Sequence, residues 1–95
     1  MTNLEKAVKT IVEDYKSDLD GYYSDWNIET WKEFVEYVYG GDSAQVKEDV
    51  RYTLNQIDIC LNDYDELETE DGSFVSYRSL MNAVRKELKA QGYFK

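Results

Sequence analysis

A chain of 95 residues, 42% of them hydrophobic, has enough apolar material for one modest core, so a single domain over residues 1–95 is expected. With no histidine and one cysteine, the usual zinc sets, Ser-His-Asp triads and Cys-His dyads cannot be assembled, and neither GxxxxGK(S/T) nor GxGxxG is present to cradle a phosphate. Twenty acidic residues against eleven basic ones give a net charge of −9, which repels a phosphate backbone and argues against direct nucleic-acid binding.

No apolar run approaches the length of a membrane span, and the opening MTNLEKAVKTIVED lacks the basic and apolar regions of a signal peptide. A cytoplasmic protein without membrane contact is expected. Along the chain, Leu4, Val8, Ile11, Val12, Tyr15 and Leu19 form the stripe of an amphipathic helix over about residues 3–20. Thr2 and Glu5 have capping-box spacing, and Gly21 is suited to end that helix. The next stretch, YYSDWNIETWKEFVEYVYGG, is rich in aromatic and β-branched residues that also suit a strand. Helical steps through Ile28, Trp31, Val35 and Val38, the Thr30 and Glu33 pair, and the stop at Gly40-Gly41 favour a second helix.

From Ser43 onward Val46, Val50, Leu54, Ile57, Leu61 and Tyr64 fit one long third helix, with Val50, Leu54, Ile57 and Leu61 in the core. A strand through Ile57, Ile59 and Leu61 explains half as many positions. Within the helical reading Cys60 is a small core residue. Tyr77, Leu80, Met81, Val84 and Leu88 mark a last helix between Ser76 as N-cap and Gly92 as C-cap. The whole pattern predicts an all-α fold, a small single-domain bundle of about four helices.

The segment NDYDELETEDGS, residues 62–73, holds six acids and no base, which raises the question of calcium. Placing Gly72 at the sixth position of an EF-hand loop puts Leu67 at the first, Thr69 at the third and Arg78 at the twelfth. A bidentate acid is required where the arginine stands, and the first position has no oxygen to offer. No metal, cofactor or catalytic residue is expected.

Charge is segregated along the chain. Residues 1–76 carry nineteen acids and six bases, a net of −13, whereas residues 77–95 carry one acid and five bases, a net of +4. Asp58, Asp63, Asp65, Glu66, Glu68, Glu70 and Asp71 place seven acids in fourteen residues, with no base between Tyr52 and Tyr77. On a helix rising about 1.5 Å per residue they average roughly one charge per 3 Å, close to the roughly 3.4 Å of one DNA strand. A second set comprises Glu13, Asp14, Asp18, Asp20, Asp25, Glu29, Glu33 and Glu36, interrupted only by Lys16 and Lys32. Solvation alone explains net charges of about two to eight in small domains. Clustering is less easily explained that way, because interspersed lysines would relieve the self-repulsion.

Nine tyrosines form the other compositional feature. Tyr15, Tyr64 and Tyr77 fall on apolar stripes and are expected in the core, while Tyr22, Tyr23, Tyr37 and Tyr39 crowd around Trp26 and Trp31. Tyr22 and Tyr23, beside Gly21, cannot both face inward. Exposed tyrosines next to carboxylates suit a protein-binding surface, since they bury large area at low entropic cost while the acids meet Lys or Arg opposite. Asp20, Tyr22, Tyr23, Asp25 and Trp26 join the acidic run as candidate partner-binding residues.

In size, charge, tyrosine content and lack of catalytic groups, as in DLDGYYSDW and NDYDELETEDGS, the chain resembles the small acidic phage-encoded inhibitors of host defence. These include anti-CRISPR and anti-restriction proteins, several of which look like DNA mimics. The resemblance covers the whole chain at the level of a class and carries no family motif, so no family residue is transferred. It implies a non-enzymatic, stoichiometric inhibitor of a basic nucleic-acid-binding protein in the host cytoplasm, a CRISPR effector nuclease first. The alternative is an acidic adaptor or phage assembly factor whose partner need not bind nucleic acid, and a carboxylate enzyme ranks third. Neither target nor oligomeric state is encoded legibly.

Overall fold

Helical periodicity becomes helix wherever a cap and a stop bracket it. In the computed structural model, which describes residues 1–95, the order is α1 (Asn3–Asp20), α2 (Trp31–Tyr39), α3 (Ser43–Asn55), β1 (Glu66–Glu68), β2 (Phe74–Ser76) and α4 (Tyr77–Ala90). The capping box at α1 is complete: the Thr2 hydroxyl accepts from the Glu5 N–H at 3.1 Å, and the Glu5 carboxylate accepts from the Thr2 N–H at 3.0 Å. Ala7, Ile11, Val12, Tyr15 and Leu19 are buried on one face, packed against α4 and α3.

α2 starts after Ile28, at Trp31, with Thr30 accepting from the Glu33 N–H. Gly40 and Gly41 both stand in the left-handed region, at φ 64° and 79°, which glycine occupies without steric cost and which halts the helix. Asp42 then caps α3 by accepting from the Ala44 and Gln45 N–H groups.

The predicted long third helix ends at Asn55. Asp58 and Asp65 lie at φ 60°, a left-handed region that Asp enters more readily than most residues other than glycine. The Asn62 side-chain oxygen accepts from the Tyr64 and Glu66 N–H groups, both at 2.9 Å, offering the backbone an alternative to helix. The chain from Ile59 runs extended, so side chains alternate: Ile59 and Leu61 enter the core and Cys60 faces solvent. The core assignment of Cys60 is therefore corrected, as is that of Tyr64, which is 83% exposed. Ile57 is only half-buried at the end of the turn, whereas Leu54 is fully buried. The strand-like alternation of Ile57, Ile59 and Leu61 was the better guide here.

The rest of the acidic run builds an antiparallel hairpin with Leu67 opposite Val75, Glu66 opposite Ser76 and Glu68 opposite Phe74. Leu67 is buried and faces the core, while Glu68 and Phe74 point outward. The all-α expectation is thus corrected to a mainly helical fold with one small hairpin. Ser76 leaves β2 and caps α4 by accepting from the Ser79 N–H. α4 ends in a Schellman motif, in which Gly92 at φ 86° donates to the Lys89 carbonyl and Tyr93 donates to that of Leu88. The turn returns Phe94 to the core, where its ring lies 6.0 Å from Phe34 and 6.3 Å from Trp31. No helix is long and apolar enough to cross a membrane.

Candidate protein-binding surface

Gly21 creates the first element of the surface. A Cβ there would sit 2.7 Å from the Ser17 carbonyl oxygen, so only glycine lets the chain fold so tightly over the end of α1. The turn that follows is closed by the Tyr23 N–H on the Asp18 carbonyl and the Trp26 N–H on the Tyr23 carbonyl, each at 3.1 Å. Asn27, at φ 55°, then redirects the chain so that Ile28 packs on the core. Short connections on both sides leave the intervening aromatics outside.

Those aromatics stack on one another. Tyr22 and Tyr23 meet edge to face at 4.9 Å, Tyr23 and Trp26 at 5.1 Å, and Trp26 meets Tyr37 of α2 at 5.6 Å. Tyr22 is 79% exposed and Trp26 and Tyr37 are each 46% exposed, so this is a pre-ordered aromatic patch rather than a core extension. The C-terminal segment braces it: the Tyr93 hydroxyl donates to Asp20 at 2.6 Å, and Lys95 pairs with Glu29 at 2.7 Å while its N–H bonds the Glu29 carbonyl at 2.8 Å.

The acids around the patch fall into two groups. Asp20 and Glu29 hold the bracing contacts, and Glu33 accepts from the Glu29 N–H at 3.2 Å. Asp25 has no side-chain partner and stands exposed in the turn itself. Asp18 and Asp20 occupy the last turn of α1 with no base beside them, against the partial negative charge of the helix C-terminus. Burial first, and then the neighbouring carboxylates, pushes the Asp14 and Asp18 carboxyls above the ordinary range; Asp49 of α3 contributes its charge to both. Asp49 itself accepts from the Tyr39 hydroxyl at 2.5 Å.

A carboxyl whose folded-state pKa is raised weakens the native state at every pH where it is ionised, and that penalty disappears as pH falls below its unfolded value. Asp18→Asn should therefore raise the thermal midpoint at pH 7, and the gap from wild type should close near pH 3 to 4, around the ordinary carboxyl range. Paired thermal scans at the two pH values check this; a variant less stable than wild type at pH 7 would show that Asp18 holds a favourable contact. Local choices that work against stability concentrate where function needs them.

The acidic run behaves differently from a charged rod. Asp65 is clamped to α3 by Arg51 and by Lys47 at 3.1 Å, and these hydrogen bonds hold its carboxyl below the ordinary range. Arg51 also donates to the Leu61 and Asn62 carbonyls at 3.4 and 3.3 Å, securing the extended segment. Asp71 organises the hairpin turn, accepting from the Thr69 hydroxyl at 2.5 Å and the Ser73 N–H at 3.0 Å, which takes its carboxyl down to about 2. Glu66 accepts from the Asn62 amide at 3.1 Å and Glu70 from the Asn3 N–H. Asp58, Asp63 and Glu68 alone keep unengaged, exposed carboxylates. Because the run is not helical, the charge spacing that matched a DNA strand does not hold.

No family model, curated protein or solved structure matches the chain. The geometry therefore carries the functional reading by itself. No group of three or more Asp, Glu or Cys side chains is placed to hold a metal ion. The twelve candidate residues fall in two places: Asp20, Tyr22, Tyr23, Asp25 and Trp26 lie at the end of α1 and in the turn after it, and the seven acids of the run lie in the loop and hairpin after α3. Tyr37 completes the first surface from α2, and its place two residues from Val35, off the Trp31, Val35 and Val38 stripe and within the aromatic crowd around Trp26, was the available signal. Asp49 joins Asp14 and Asp18 only through the packing of α3 on α1.

Proposed function

We propose that this protein is a non-enzymatic, stoichiometric inhibitor that grips a basic, nucleic-acid-handling protein, with a CRISPR effector nuclease as the first target class. The single observation that carries the reading is the braced aromatic patch of Tyr22, Tyr23, Trp26 and Tyr37, exposed beside the carboxylates that close α1. Large, rigid aromatics at the centre of a polar rim are the side chains from which protein interfaces draw most of their energy. The surrounding negative field steers a positively charged partner toward them. Asp25, Asp63 and Glu68 are available for contacts with Lys or Arg of that partner.

A second reading, an acidic adaptor or phage assembly protein, is favoured by the internal employment of Asp65, Glu66, Glu70 and Asp71, which leaves few free charges to imitate a phosphate backbone. Competition distinguishes the two. Titrating the protein into a purified CRISPR effector carrying its guide RNA and labelled target DNA should displace the DNA with a sharp stoichiometric endpoint. Simultaneous binding of both would reject displacement, and absence of any complex with nucleic-acid-handling proteins would leave the adaptor reading in its place.

A further inference from the structure

The chain's bases are gathered where its acids are not. α2 packs on α3 and α4 packs chiefly on α1, so α2 and α4 diverge and leave an open groove of about 940 Å³ between them. The Gly40–Gly41 turn and the first turn of α3 close one end. Lys32, Lys47, Arg78 and Arg85 line this groove and Glu36 is its one acid, although acids outnumber bases twenty to eleven in the chain.

These cations are largely without carboxylate partners. Lys47 pairs with Asp65, but Lys32, Arg78 and Arg85 take part in no ion pair. Arg85 lies over the Trp31 ring, 5.6 Å from its centroid, and Lys47 over the Tyr77 ring at 5.1 Å. Stacking on a ring fixes the side chain's position while leaving its hydrogen-bonding capacity free for an anion. α4 begins in the groove with Tyr77 and Arg78, has no acid in its first turn and is capped by a neutral serine, so its positive end adds to the field. Between the bases the floor is apolar, formed by Trp31, Val35, Val46 and Met81.

We infer that this groove is a docking site for an acidic peptide segment carrying apolar or aromatic side chains, on a protein other than this one. Carboxylates of the segment meet Lys32, Arg78 and Arg85, and its apolar side chain enters over Trp31 and Met81. A bare phosphate uses the basic rim and wastes the floor. A nucleic-acid strand runs on beyond the four bases of the groove over a chain whose net charge is −9, whereas a short acidic segment ends within them. A groove between diverging helices that combines an apolar floor with charged edges is a familiar receptor for an amphipathic segment. The inference is independent of the proposed function, since it uses the opposite sign of charge on other residues.

A fluorescently labelled glutamate–tyrosine copolymer is the probe, with polyglutamate, oligothymidylate and inorganic phosphate as comparisons, read by anisotropy or by competition. The copolymer should bind more tightly than polyglutamate, bind more weakly as salt rises, and bind the Lys32→Glu/Arg78→Glu variant at least about tenfold more weakly than wild type. Both substituted residues are exposed and without ion-pair partners, and circular dichroism confirms that the variant is folded. Arg85→Gln gives a second, milder variant that should also weaken binding. No binding, equal binding of polyglutamate or oligothymidylate, or an unchanged affinity in both variants overturns the site. Sedimentation of the protein alone covers the remaining occupant: self-association abolished by Lys32→Glu/Arg78→Glu would put a second copy's acidic hairpin in the groove and overturn the assignment to another protein.

Discussion

Phe34→Ala should cost about 3 to 5 kcal/mol, the range seen when a buried aromatic is truncated in a core that cannot collapse onto the void. Phe34 is fully buried and its ring lies 4.8 Å from Tyr15, 5.6 Å from Trp31 and 6.0 Å from both Tyr39 and Phe94. It is thus the ring on which α1, α2 and the C-terminal segment converge. At about 4 to 8 °C per kcal/mol for a domain of this size, the thermal midpoint should fall by well over 10 °C. Against a total stability of roughly 5 to 15 kcal/mol, the variant approaches the unfolded state at ambient temperature. Tyr37→Ala, on the same helix but facing solvent, should stay within about 0.5 kcal/mol of wild type. Urea and thermal unfolding followed by circular dichroism check the pair. Equal losses at both positions would mean that the aromatic patch is part of the core.

Trp26→Ala should have the opposite profile. It leaves the fold intact, because Trp26 contacts Tyr23 and Tyr37 at the surface and lies outside the buried set. Partner affinity should fall by about 2 kcal/mol or more, roughly thirtyfold, as for an aromatic at the centre of an interface. Tyr22→Ala should fall in the same direction. The loss should appear mainly as faster dissociation, since short-range packing is removed and the long-range field is unchanged. Asp63→Asn with Glu68→Gln should instead slow association and flatten the salt dependence. Asp65 is unsuited to this test, because its removal frees Arg51 and Lys47 and loosens the hairpin that they hold. Surface plasmon resonance on the purified complex separates the two rates. A Trp26→Ala variant with wild-type dissociation would remove the aromatic patch from the interface and leave the free acids as the contact.

Where a residue's fate depended on its near neighbours in the chain, the sequence was sufficient. The Thr2 and Glu5 capping box, the Thr30 and Ser76 caps, the glycine stops at Gly40 and Gly92 and the apolar stripes of α1 and α4 are interactions within four residues, and each is realised. The exposure of Tyr22 beside Gly21 was legible for the same reason, because a tight turn at a helix end has only one wet side. The region from Gln56 to Ser76 was decided elsewhere. The helical spacing accounted for twice as many apolar positions as the extended one, and what overrode it was distant: Arg51 binding the Leu61 and Asn62 carbonyls and Asp65, and a slot in the core that accepts Leu67 from a strand. The same long-range contacts turned Cys60 to solvent and left Ile57 half-buried, and distant partners engage Asp65 and Glu70, whereas Glu66 and Asp71 are taken up by hydrogen bonds within four residues in the loop and hairpin. The meeting of Asp49 with Asp14 and Asp18, and the divergence of α2 from α4 that opens the basic groove, likewise exist only after helices pack. Local hydrogen bonds and periodicity choose the elements, but charge and exposure are properties of surfaces, and surfaces form only when those elements come together.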